Sequence, residues 1–402
     1  MLNLKNKLKK YKTLFYVAKT IYHLFLVIEK NLHAFFLMSF LLVKSKLAFY
    51  KLLHSLTKFE LYIAHCNGGG TEKYLQNILK TKKDYIILRN YIVLGKYEIF
   101  KLEISRQNIS IFISKYDIKK LNRLIDLLSV ENLFMYRDLY FVLRALSNFS
   151  CKKVFKVHDF YSICPNLNLV KDNVYCGLNC TEQCFKNYGL KGLSLNKWRS
   201  LWSSFFDTVN EFFFFSESAM KIFTSVYPVD LKKIIIKPHD MSYFKAKTIT
   251  SAQEDFRIGV FGCINSDAKG LSVLKDFVKF SKTKDYKIYF NGTIPDIDLK
   301  ELKENNNFEF FGSYNQNEIY ERLISQKISV VFFTSICPET FSYVISELIM
   351  IGIPIACFDI GAQSEKIKKF ELGKIIPDMT NESILRTLKA CHEMGRIHFA
   401  RY

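Results

Sequence analysis

An apolar run over residues 328–333 breaks at Thr334 into a loop, and from Phe341 to Met350 the apolar positions then recur every three or four residues. Gly352 and Pro354 end that segment, and a second apolar run, 353–358, leads into the turn Asp359-Ile360-Gly361. Two short apolar runs joined by a helix with one face in a core spell β-α-β, a crossover that belongs to parallel strands buried on both sides. No other stretch constrains the fold so much. Parallel sheets of this kind bind ligands in the loops at the carboxyl ends of their strands. Glu339 falls in such a loop, and Glu347 lies about two turns further on, within the helix. A carboxylate in the loop can also accept hydrogen bonds from the free N–H groups of the first turn. An ordinary buried helix with two incidental glutamates is the alternative.

The same alternation runs through most of the chain. Residues 61–65, 85–88, 98–102, 108–113, 133–136 and 154–157 read as strands, and 118–128, 139–147 and 198–208 as helices. Further strands are expected at 211–215, 232–237, 257–261, 286–290 and 308–312. This order predicts parallel sheets with helices on both faces. The 402 residues are enough for two cores. A polar, unpatterned stretch at 246–254 reads as the linker between domains at 61–245 and 255–402. The first strand runs into Gly68-Gly69-Gly70 and then a helix. A strand, a glycine turn and a helix start let backbone N–H groups approach a phosphate, although a plain tight turn has the same composition.

The block PETFSYVISELIMIGIPIACFDIG, from Pro338 to Gly361, resembles the E-x7-E donor-site motif of retaining GT-B glycosyltransferases of family 4. GGGTEKYLQNIL, from Gly68, resembles the first loop of that family. HDFYSICPNLNL, from His158, resembles the His-Asp-Phe…Cys-Pro block of its members that build bacterial surface polysaccharides. Gly262 to Gly270, with Lys269, resembles its donor-phosphate loop. Cys263 stands where many relatives carry arginine, which leaves Lys269 and the helix start near Glu339 to carry more of the charge. The resemblance covers about residues 61–377, in motif order.

It implies a GT-B fold, two Rossmann-like domains facing across a cleft, here with a helical basic extension at 1–60. It also implies transfer of a sugar, with retention, from a nucleotide-diphospho-sugar to a glycan or lipid-linked glycan in cell-surface polysaccharide (lipopolysaccharide or capsule) synthesis. Glu339, His158 and Lys269 would be catalytic. Gly68, Gly69, Gly70, Lys269, Thr340, Phe341, Ser342 and Glu347 would bind the donor, with Glu347 on the ribose. No cofactor is required for that chemistry. A nucleotide-sugar epimerase and a non-catalytic assembly subunit are the alternatives. Donor base, sugar and acceptor are not written in the residues.

Cys164, Cys176, Cys180 and Cys184 make an excursion at 164–184 with spacing C-x11-C-x3-C-x3-C. Four thiolates can hold a structural zinc or an iron–sulfur centre, although the spacing is not that of a zinc ribbon; unligated thiols are the other reading. The ten cysteines, with no secretory cleavage pattern, point to a reducing, cytoplasmic setting. Residues 1–250 hold 39 of the 58 Lys+Arg and 18 of the 38 Asp+Glu, so the net charge of +20 belongs to that part of the chain. Such asymmetry implies an anionic partner. Without a nucleic-acid-binding signature, the expected partner is a membrane surface rather than nucleic acid. Residues 1–60 interleave lysines with aromatics, as in an interfacial helix on the inner face of a membrane; a hairpin packed on the next domain is the alternative. The longest uncharged run there, 32–43, is short of the roughly 20 residues a spanning helix needs.

Overall fold

The computed structural model describes residues 29–66, 68–134, 136–188 and 192–400. The expectations for 1–28 lie outside them. The chain divides into two compact units, Met1–Val154 and Phe155–Tyr402.

The first unit opens with a helix, Glu29–Leu53. Its strands are β1 (Phe59–Ala64), β2 (Tyr85–Val93), β3 (Tyr97–Ile104), β4 (Ile109–Ile113), β5 (Ile125–Val130) and the first part of β6 (Lys152–Lys156), within which the boundary at Val154 falls. They lie in the order β6-β5-β1-β2-β3-β4. Central β1 pairs in parallel with β2 and β5, whereas β2, β3 and β4 fold back antiparallel. The β2–β3 reversal follows from Leu94 and Gly95, both at positive φ, as a type I′ turn requires. The helix expected at 118–128 is a 3₁₀ segment, Lys115–Leu124, running straight into β5. Asp117 starts that segment by accepting from the Ser114 N–H at 3.2 Å and its hydroxyl at 2.6 Å. The strand expected at 133–136 is a loop, where the Tyr136 hydroxyl contacts the carbonyl oxygens of Ala64 (2.8 Å) and Leu88 (3.0 Å).

The second unit begins with a small hairpin, β7 (Val170–Lys171) and β8 (Val174–Tyr175), and the parallel pair β9 (Glu211–Phe214) and β10 (Ile234–Ile236). Its main sheet holds β11 (Arg257–Cys263), β12 (Lys287–Thr293), β13 (Phe308–Phe310), β14 (Val330–Phe333), β15 (Ile355–Phe358) and β16 (Gly373–Ile376). The order is β13-β12-β11-β14-β15-β16, parallel throughout. Side chains alternate between two cores: Val330, Phe332, Ala356 and Phe358 enter one, and Val331, Phe333, Ile355 and Cys357 the other. That is the period-two pattern of strands covered on both faces. The 246–254 stretch is tied down by Ile249, which is buried in the second core and donates its N–H to Ile351 O at 2.9 Å. Both units are Rossmann-like layers of parallel sheet and helix.

Strand order reverses between β11 and β14. The loops leaving these two strands therefore splay apart at the switch point, where α/β sheets take their ligands.

Candidate functional site

The two loops at that switch point are stitched together. Ile336 and Cys337 donate their N–H groups to Ala268 O, each at 3.1 Å, and Thr334 Oγ1 donates to Lys269 O at 2.8 Å. Gly270 permits the approach: it has φ +84°, and a Cβ there would sit 2.0 Å from Thr334 O. Lys269, at the end of the β11 loop, reaches Glu339 after β14 with Nζ to Oε1 at 2.8 Å. Burial alone would raise the Glu339 pKa, but the Lys269 charge and hydrogen bond outweigh it and hold the carboxyl below its ordinary range. The same pairing outweighs desolvation at Lys269 and pushes its ammonium upward. The lysine side chain remains 40% exposed and the glutamate 14%. A fixed cation thus faces solvent beside a carboxylate that stays ionised.

The Glu339 backbone is clamped from below. Gln363, fully buried, accepts from Glu339 N–H at 3.1 Å and donates to Cys337 O at 2.7 Å. Glu339 O accepts from Ala362 N–H at 2.9 Å. Gly361 again allows the close approach, since a Cβ there would meet Glu339 N at 2.6 Å.

Thr340, Phe341 and Ser342 bridge to the helix Tyr343–Ile351. Ser342 is held at φ 63°, a left-handed conformation that costs a non-glycine residue about 1 kcal/mol. Its carbonyl accepts from Ser346 Oγ at 2.9 Å and Lys366 Nζ at 3.3 Å. Lys366 also donates to Ser346 Oγ at 2.5 Å and lies 3.4 Å from the centre of the Phe341 ring. Burial pulls its pKa down to about 7, against the opposing pull of Glu339 and Glu365. Thr340 Oγ1 donates to His158 O at 3.0 Å, so the predicted histidine is brought to the predicted loop. His239 stacks on Phe341 at 4.3 Å and lies 5.8 Å from the His158 ring. Glu347 is buried inside the helix and accepts from the Tyr243 hydroxyl at 3.4 Å, with Tyr314 and Tyr343 near enough to feel its charge.

Lys269, Glu339, Thr340, Phe341, Ser342 and His158 therefore form one constellation, with Glu347 in the second turn of the helix that follows. Gln363, Lys366 and His239 belong to it and were missed as site residues. Their only sequence signals were a glycine turn after β15 and the Pro238-His239-Asp240 exit of an earlier strand.

The glycine loop belongs to the first unit. Gly68 and Gly69 have φ 70° and 81°, and open space lies where their Cβ atoms would be. Among the described residues no side chain caps the helix Gly69–Leu79, and the first turn of a helix carries N–H groups without intrahelical partners. Arg89 braces the loop, donating to Glu72 at 2.8 and 2.9 Å and to His65 O at 2.5 Å.

In the cysteine excursion, the Cys180 thiol is within hydrogen-bond reach of both Cys164 and Cys176. The hydrogen bond from Cys180 lowers the Cys164 pKa, whereas the Cys176 thiol is raised by its hydrogen bond with Cys180 and by burial, and the Cys180 thiol by its hydrogen bond with Cys164. The N–H groups of Asn166 and Leu178 point at Cys164 and Cys176, each two residues upstream. Gly177 and Leu178, both at positive φ, make the second of these turns. Arg199 has its charge near Cys180, and one buried guanidinium nitrogen has no hydrogen-bond partner among the described residues. Among the described residues, no three His, Cys, Asp or Glu side chains already stand as a closed metal-binding set.

No family model and no curated protein matches the sequence. Solved structures do match. Anabaena Alr3699/HepE, determined in complex with UDP, is similar with a TM-score of 0.54 at 14% identity, over 85% of this chain and 95% of that one. Sucrose-phosphate synthase from Thermosynechococcus elongatus gives 0.56 at 9%, over 86% and 94%. A glycosyltransferase from Rickettsia africae gives 0.55 at 15%, over 85% and 91%. The chain covers 75% of its own length but 57% of S. aureus TarM, at a TM-score of 0.50. These likenesses are of fold, and the fold is GT-B.

Proposed function

We propose that the protein transfers a sugar, with retention, from a nucleotide-diphospho-sugar to a glycan or lipid-linked glycan in cell-surface polysaccharide synthesis, at the cytoplasmic face of a membrane. The observation that carries this reading is the Lys269–Glu339 pair at the switch point of the second sheet, with Glu347 buried in the next helix. Breaking a glycosidic bond to a diphosphate leaves negative charge on the departing oxygens. Lys269 is a fixed cation whose attraction to that charge grows as the bond lengthens, so it stabilises the transition state more than the ground state. Glu339, kept ionised, accepts hydrogen bonds from sugar hydroxyls, and its clamped backbone orients the N–H groups of Thr340 to Ser342. Glu347 accepts from the ribose hydroxyls. His158, tied to Thr340 through its carbonyl, presents its ring to the sugar. Gly68 to Gly70 offer N–H groups to donor phosphate or acceptor, and residues 61–245 supply the acceptor side.

The test is thermal shift of the purified chain with UDP, GDP, CDP and their sugar conjugates, followed by incubation of the stabilising donor with glycan acceptors. A ligand at a hundredfold its Kd should add about 2.7 kcal/mol of stability. A shift with one nucleotide family and transfer of its sugar is the expected result. Stabilisation by none of them would end this reading.

For the excursion two readings stand as proposals: a structural metal on Cys164, Cys176, Cys180 and Cys184, or unligated thiols that pack it, the latter supported by the lack of a ready three-ligand set among the described residues. Two N–H groups aimed at thiols and the nearby guanidinium favour negative charge on the cluster, as the metal reading needs, whereas the raised Cys176 and Cys180 thiols favour the neutral, unligated form.

A further inference from the structure

The helix Glu29–Leu53 is apolar on two opposite faces. Ala34, Phe49 and Leu52 are buried, and buried Ser45 accepts from Phe112 N–H at 2.8 Å. Phe35 meets Tyr97 edge-on at 6.2 Å, and Arg123 donates to Leu53 O. That face belongs to the first unit. On the other face, Leu32, Phe36, Phe40, Val43, Leu47 and Tyr50 are 51, 65, 61, 71, 66 and 60% exposed. They are spaced four, four, three, four and three residues apart, which on an α-helix draws one continuous stripe. Single exposed apolar side chains are ordinary, but a stripe of six marks a surface with a partner.

We propose that this stripe lies in the plane of an anionic lipid surface, with its side chains in the headgroup–acyl boundary and the opposite face still packed on the first unit. Charge selects this occupant. At 100° per residue, exposed Lys44 and Lys51 fall along one edge of the stripe and exposed Lys46 along the other. Glu29, at the amino end, is the helix's one acidic residue. Residues 1–28 add six lysines and no acidic residue. Lysines flanking an apolar stripe suit anionic headgroups, each worth about 1 kcal/mol near such a surface. The same lysines would meet one another if two copies of the stripe paired about a two-fold axis. By length and composition the helix could cross a bilayer. Crossing would pull Ser45 from the Phe112 N–H and take Phe49 and Leu52 out of the packing that buries them, so the geometry favours lying on the surface.

This inference deepens the membrane location of the proposed function and rests on that part of it, but it separates from the donor reading, because vesicle binding can fail while nucleotide stabilisation survives, and the reverse. The experiment is co-sedimentation of the full chain with phosphatidylcholine vesicles, with and without an equal share of phosphatidylglycerol. Binding is expected only with the anionic lipid and should be released by high salt. A triple variant, Phe36→Ser, Phe40→Ser and Leu47→Ser, should bind at least about tenfold more weakly. Its circular dichroism, Tm and nucleotide shift should stay unchanged, since the three side chains are exposed. A variant that binds like the parent overturns the proposal, as does equal binding to neutral vesicles. Two results without lipid also overturn it: a parent dimer that the variant dissolves, which gives the stripe to a second copy, and hydrogen-exchange protection of residues 1–28 that the variant abolishes, which gives it to the chain's own amino-terminal segment.

Discussion

At the residue scale, the site rests on a few charges whose surroundings set their state. Glu339 and Lys269 share one 2.8 Å contact, so removing either leaves the other without its partner as well as weakening the chemistry. Glu339→Gln keeps the shape and removes the charge; Lys269→Ala removes the cation. Each should cut the transfer rate by about a hundredfold to a thousandfold, with Tm within a few degrees of the parent. Near-normal turnover in both would remove these residues from the mechanism. Lys366 allows a separate, catalysis-free test. Its folded-state pKa of about 7 lies below its ordinary 10.5, because the Phe341 ring, Ser342 O and Ser346 Oγ replace water, and Glu339 and Glu365 do not fully compensate. Between those values the unfolded chain binds more protons than the folded one, so stability rises as pH climbs above about 7. The Tm of the parent, measured against Lys366→Met from about pH 6 to about pH 9, should gain ground steadily. Parallel curves would mean that this amine is not desolvated.

At the scale of elements, legibility followed locality. The β14–helix–β15 unit could be read because its apolar periods, Gly352 and Pro354 all act within thirty residues of one another. The helix Leu139–Ser147 was legible for the same reason. Strand β5 was not: Ile125-Asp126-Leu127-Leu128 continues the apolar rhythm of 118–124, and pairing with β1 decides its state. Gln363 and Lys366 sit on a short polar helix with no motif, and only the approach allowed by Gly361 places them under Glu339. His239 directly follows the strand expected at 232–237, and nothing local announces its stacking on a phenylalanine about one hundred residues away. The cysteine excursion joins both kinds of information. Its spacing is local, but Val170 at the hairpin enters the core of the second sheet, so the excursion braces that domain. On the metal reading, protein purified without chelators should contain about one zinc per chain or an iron–sulfur chromophore, and Cys180→Ser should lose the metal and several degrees of Tm. Metal-free protein with four freely titrating thiols would assign the cluster to packing alone.

At the scale of the whole molecule, charge and chemistry are distributed differently along the chain. Residues 1–250 carry 39 basic and 18 acidic side chains, while residues 251–402, which hold Lys269, Glu339 and Glu347, carry 19 and 20. Donor recognition by the proposed site depends on a short, partly enclosed ion pair and on backbone groups, which salt screens weakly. Attraction to an acceptor displayed on an anionic surface would act between exposed charges, over distances comparable with the screening length of about 8 Å at physiological ionic strength. The two substrates should therefore separate under salt. Raising ionic strength from about 0.05 to about 0.5 M should increase KM several-fold for an acceptor presented on anionic vesicles. The donor KM should change little, as should the KM for the same acceptor supplied as a soluble fragment. A donor KM that climbs in step with the acceptor's would place the basic surface at the nucleotide and undo this assignment. An acceptor KM indifferent to salt would leave the excess of +21 without a role in catalysis, as a property of solubility alone.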